Sequence, residues 1–136
     1  MEIFCIEDFK IQFEKLISKK NYSIMKQEFI DYFFDKSTTE LYSGTRLNNS
    51  IETPYIKKRL GGAGGFRIYF LLIMKDERLY LMFVHPKTGS MGYENIDDKS
   101  KAHLYKEVLR CIISKELYIV ELNDERSKVV FTKFEN

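Results

Sequence analysis

The spacing of apolar residues divides the chain into helical and extended stretches. "EIFCIEDF" opens with Ile3, Phe4, Cys5 and Ile6 and reads as a short first strand. Helical spacing follows at Phe9, Phe13, Leu16 and Ile17. "SKKNYS" interrupts it, and a second helix carries Tyr22, Met25, Phe29, Tyr32 and Phe33 on one stripe, with Asn21 or Ser23 as its N-cap. "DKSTTELYSGTRLNNSIETP" is loop-like, with room for a brief strand at "LYSGTRL". Strands are predicted over Tyr55–Leu60, Phe66–Lys75 and Leu79–Lys87, the last two joined as a hairpin through "DE". After the turn "TGSMGYENIDD", Asp97 or Asp98 caps a third helix with Tyr105, Val108, Leu109, Ile112 and Ile113 on its stripe. "ELYIVEL" and "SKVVFTKF" are two more strands around "NDERS". The expected fold is α+β: an antiparallel sheet with two N-terminal helices packed on it, a third helix after the central strands, and two extra C-terminal strands.

Alternation on the strands assigns faces. Tyr55, Lys57 and Arg59 share one side of their strand, and Lys58 falls on the other with Ile56 and Leu60. On the hairpin, Arg67, Tyr69, Leu71 and Ile73 are expected on one face of the first strand, and Leu79, Leu81, Phe83, His85 and Lys87 on one face of the second. Charge sharpens this picture. Residues 1–54 carry net −2 and residues 76–136 net −1, whereas residues 55–75 carry +5 with no acidic residue. A local excess of this kind concentrates phosphate ligands even on a nearly neutral molecule.

The chain of 136 residues fits one domain, and its 44% hydrophobic and 31% charged residues suit a soluble globule. The longest apolar run, Ile68–Met74, is too short to span a bilayer, which needs about 20 residues. "MEIFCIEDFK" lacks the basic and apolar regions of a secretion signal, so a cytoplasmic protein without membrane attachment is expected. Cys5 and Cys111 have no metal-ligand spacing and read as buried free thiols.

Several chemistries lack their residues. There is no HExxH or DxD and there are two histidines, so no metal site is expected. "GGAGGF" leads into a strand and lacks the GK[ST] ending of a P-loop, so no nucleotide cofactor is expected either. What remains is a set of cations, tyrosines and His85 across successive strands. Those groups suit transphosphorylation of RNA, in which the substrate's 2′-hydroxyl attacks the adjacent phosphate while the protein supplies positioning, charge stabilisation and proton transfer.

"IKKRLGGAGGFRIYF" followed by "LYLMFVHPKTGSMGYENI" resembles the RelE/HigB superfamily of toxin–antitoxin ribonucleases. In that family a basic strand leads through a turn into a [YF]-R-[IVL]-x-Y strand, and a further strand ends in a cationic turn. "GGFRIYF" and "FVHPKT" match these last two elements, and the similarity covers roughly residues 1–113 of a single domain spanning residues 1–136. The extension of about residues 114–136 either adds strands to the sheet edge or covers the cleft. The resemblance implies an mRNA endoribonuclease that acts in the ribosomal A site and is held inactive by a cognate antitoxin. Lys57, with Lys58 or Arg59, matches the basic strand, Arg67 the phosphate-binding arginine, Lys87 the cation after the last strand, and Tyr93 the base-stacking tyrosine. His85 is a candidate for proton transfer, and Lys58, Tyr55 and Tyr69 are candidates for RNA binding. Gly62 and Gly64, with Gly61 and Gly65, let RNA or ribosomal backbone approach between Arg59 and Arg67, or else form a plain hairpin loop. Two other functions fit the same residues: gyrase inhibition, as in the related ParE group, and a non-catalytic protein-interaction module.

Overall fold

A computed structural model describes residues 1–22, 24–61, 65–86 and 97–135. Strand β1 (Glu2–Cys5) precedes helices α1 (Glu7–Ile17) and α2 (Met25–Phe33), which are separated by a 3₁₀ turn at Lys20–Tyr22. A four-residue helix α3 (Thr38–Leu41) leads to β2 (Thr45–Arg46), β3 (Tyr55–Leu60), β4 (Phe66–Ile73) and β5 (Arg78–Pro86). Helix α4 (Asp98–Ser114) then precedes β6 (Tyr118–Leu122) and β7 (Val129–Lys133). The fold is α+β, with a mostly antiparallel sheet ordered β2-β3-β4-β5-β1-β6-β7. One pair departs from the expected antiparallel sheet: β1 runs parallel to β5. Three intervening helices and the β2–β3–β4 meander give the chain the long crossover that a parallel neighbour requires.

The helical spacing of the N-terminal half produces an aromatic layer. Phe9, Phe13, Phe29 and Phe33 are buried, with ring centroids 4.8 Å apart for Phe13–Phe29 and 4.9 Å for Phe29–Phe33. Phe33 meets Phe70 of β4 edge-on at 5.3 Å, which places α2 against the face that carries Phe66, Ile68, Phe70 and Leu72. The N-cap of α2 is Ile24, without a side-chain cap, rather than Asn21 or Ser23, and Ser23 lies outside the described residues. Asp97 caps α4 by accepting from the Ser100 N–H at 2.7 Å.

Two expectations about faces need correction. A register shift between β4 and β5 pairs Tyr69 with Phe83 but Phe70 with Leu81, leaving Met82 as the extra residue of a bulge. Leu79 and Leu81 therefore share the α1/α2 side with Phe70 and Leu72, whereas Phe83 and His85 share the other side with Tyr69 and Arg67. The face of α4 is also shifted. Leu104, Val108 and Cys111 are buried, while Leu109 and Ile113 are 48% and 83% exposed. Its apolar stripe is wider than the face it buries.

The C-terminal strands extend the sheet beyond β1. Phe4 and Cys5 pair with Ile119 and Tyr118, so β6 caps the β1 edge. Phe131 of β7 packs on Phe13, and Phe134 packs on Phe4 at 6.0 Å. These strands are built into the core and lie at the opposite end of the sheet from β3.

Candidate functional site

The register of β3, β4 and β5 aligns the candidate side chains in rows on one face. Arg59 lies opposite Arg67, which lies opposite His85, and the neighbouring row is Lys57, Tyr69 and Phe83. Residues directly opposite on neighbouring strands have Cβ atoms about 4.5–5.5 Å apart, so each row is a contiguous patch. The bulge at Met82 lets β5 present Phe83 and His85 on this face while Leu79 and Leu81 pair with Leu72 and Phe70 on the other.

Within the patch, geometry fixes the state of the histidine. His85 Nδ1 lies 3.0 Å from the Pro86 carbonyl oxygen, which can only accept, so Nδ1 carries the proton. In the neutral ring Nε2 is then an acceptor, and it receives the Tyr69 hydroxyl at 3.3 Å. Burial holds the His85 pKa below the ordinary histidine range, and the charges of Arg67 and Lys57 push it the same way. The Tyr69 and His85 rings stack at 5.6 Å. Together these contacts make a neutral imidazole with an acceptor nitrogen beside a phenol and two cations.

The patch is enclosed rather than open. Arg67 is 1% exposed, His85 2% and Lys57 8%, because β4 is central and its side chains are enclosed. Arg59, on β3 nearer the sheet edge, is exposed. The Tyr69 ring is fully buried, so it offers no free face to a base. Tyr55 is half-buried, and one face of its ring is taken by Tyr105 of α4, stacked at 4.0 Å. Burial raises the pKa of both these tyrosines, and Tyr105 also feels Tyr55 and Tyr69. Lys58 leaves the patch altogether, because alternation turns it to the other face, where its Nζ lies 4.9 Å from the Tyr32 ring centroid. Lys87, Tyr93, Gly62 and Gly64 lie outside the described residues.

Sequence reasoning missed Tyr105. Its place on a helical stripe marks it as core, and nothing in the spacing pairs it with Tyr55. Both cysteines are buried and free, as expected. Burial raises the Cys5 thiol pKa strongly and that of Cys111 to about 11, which keeps both protonated and unreactive. Among the described residues no group of three His, Cys, Asp or Glu side chains could hold a metal ion, and no helix is long and apolar enough to cross a membrane. No protein-family model matches the chain, and neither curated proteins nor solved structures include a match to it.

Proposed function

We propose that the chain is the toxin of a toxin–antitoxin pair, an endoribonuclease that cleaves mRNA on the ribosome by metal-independent transphosphorylation. The observation that carries this reading is the Arg59–Arg67–His85 row beside Lys57–Tyr69, with His85 neutral and its Nε2 toward the tyrosine hydroxyl. Arginine suits the two non-bridging oxygens of a phosphate because its planar fork donates in parallel, and a buried setting strengthens that contact. Arg67, Tyr69 and His85 are buried, so this reading requires the row to open to the RNA strand; the 2′-hydroxyl then attacks phosphorus, and its proton passes to the Tyr69 oxygen as Tyr69 gives its own to His85 Nε2. The imidazolium so formed stands in the field of Arg67 and Lys57, which favours return of that proton to the departing 5′-oxygen. The products are a 2′,3′-cyclic phosphate and a 5′-hydroxyl. A cognate antitoxin would hold the protein inactive.

Purified protein added to mRNA-programmed ribosomes tests this reading by primer extension. Cleavage is expected, with a loss of about 10²-fold or more in the Arg67→Ala variant, the range seen when a charge-stabilising donor is removed. Intact mRNA with the wild-type protein overturns it. The burial of Arg67, His85 and Lys57 favours a second reading, in which the row is a structural cation cluster inside a protein-interaction module. In that case Arg67→Ala lowers stability and partner capture, and no RNA is cut.

A further inference from the structure

The cations of the β2–β3 edge divide between two faces. Arg59 points to the face of the row just described, and Lys58 to the opposite one. Arg46 of β2 pairs with Ile56, so it lies on the Lys58 face. There each cation rests on a tyrosine: Lys58 Nζ is 4.9 Å from the Tyr32 ring centroid, and the Arg46 guanidinium is 5.3 Å from that of Tyr42. Lys36 approaches Tyr32 as well, at 5.8 Å. Arg46 Nη1 also donates to the Tyr42 hydroxyl, and the hydroxyls of Tyr32 and Ser43 are 3.4 Å apart, which fixes both rings.

Outside this edge and the Arg67 row, the arginines are paired with carboxylates. Arg78 pairs with Glu2, Arg110 with Glu107 and Glu116, and Arg126 with Asp35. Among the described residues Arg46, Lys58 and Arg59 make no ion pair. From Leu41 to Met74 the chain holds five cations and one carboxylate, Glu52, with Arg46 and Lys58 on this face and Lys57, Arg59 and Arg67 on the other. Tyrosine rings fixed in place beside uncompensated cations form a stacking platform next to phosphate contacts, the combination by which single strands are held without base-specific hydrogen bonds.

We infer that Arg46, Lys58, Tyr32 and Tyr42 form a second binding surface for single-stranded RNA, which continues around the β2–β3 edge through Arg59 to the Arg67 row. The inference rests on the ribonuclease reading for the identity of the strand as RNA. Bases stack on the tyrosines while Arg46 and Lys58 meet the phosphates, and Arg59 on the far face takes the next one. The surface holds RNA whether or not the row cleaves it.

Fluorescence anisotropy with a labelled twelve-nucleotide oligouridine tests this, using the full chain and the double variant Arg46→Ala with Lys58→Ala. The variant should bind about tenfold more weakly at low salt. Its slope of log affinity against log salt should fall by about 1.4, at ~0.7 for each single-strand phosphate that the variant no longer neutralises. Its thermal unfolding should stay cooperative and fall only slightly, by the loss of two surface contacts, since Arg46 is exposed and Lys58 half-buried. Equal affinity and slope in the variant overturn the inference, as does a wild-type protein that does not bind the oligouridine. Tighter binding of the matching oligothymidine overturns the assignment to RNA, and equally effective competition by polyglutamate assigns the surface to acidic protein instead. The two proposals separate cleanly. Wild-type cleavage with undiminished oligouridine binding by the variant defeats this surface alone, and weakened binding by the variant without any wild-type cleavage defeats the ribonuclease alone.

Discussion

His85 is the residue whose state is most tightly set. Burial and the charges of Arg67 and Lys57 favour the neutral ring and outweigh the Pro86 carbonyl, which favours the charged one while fixing the proton on Nδ1. Its pKa is therefore lower folded than unfolded, and the unfolded chain takes up the proton first as pH falls below about 6.5. Stability from this group is fully present above that pH, is lost as pH falls toward the depressed folded value, and falls no further below it. His85→Asn keeps a donor for the Pro86 carbonyl but cannot take up a proton in this range. Urea denaturation at pH 7.5 and 5.5 should show a smaller acid loss in that variant than in wild type; parallel losses would mean that His85 is not held neutral. The residue types of this patch were legible from sequence, because a basic strand next to "FRIYF" and a histidine one strand on must share a sheet. Their burial was not, since alternation assigns a face and says nothing of what closes over it.

At the scale of elements, long periodic segments were readable and short or shifted ones were not. Phe9, Phe13, Met25, Phe29 and Phe33 report their helices because each spacing repeats over several turns. Helix α3 has one turn and no such signal, although "STTE" does carry a capping box: Ser37 accepts from the Glu40 N–H, and the Glu40 carboxylate accepts from the Ser37 N–H. The bulge at Met82 has no marker in a run of apolar residues, so half the face assignment of β5 came out reversed. Helix α4 ends at Lys115 in the left-handed conformation, φ 63, where a side chain strains against its own carbonyl. Lys115→Gly should stabilise the fold by about 0.5–1 kcal/mol, the usual advantage of glycine at such a helix end. Chemical denaturation measures it, and an unchanged or lower midpoint would show that the lysine makes compensating contacts.

On the scale of the whole molecule, the tail beyond α4 is structural rather than appended. β6 supplies the antiparallel partner of β1, and Phe131 and Phe134 reach Phe13 and Phe4. Deleting residues 115–136 would expose the β1 edge and these rings, so the shortened chain should aggregate or lose its cooperative unfolding transition. A shortened chain with a sharp transition near that of wild type would contradict this integration. The same topology leaves the β2–β3 end of the sheet clear of the tail, and Arg46, Lys58 and Arg59, without an ion pair among the described residues, lie there.

The central claim concerns chemistry at the Arg67 row, and the ends left on cleaved RNA test it most directly. Wild-type protein acting on ribosome-bound mRNA should leave 2′,3′-cyclic phosphate and 5′-hydroxyl ends, and should leave a fully 2′-O-methylated message whole, since that message has no attacking hydroxyl. A 5′-phosphate end, or equal cutting of the methylated message, would place the nucleophile outside the substrate and contradict the mechanism.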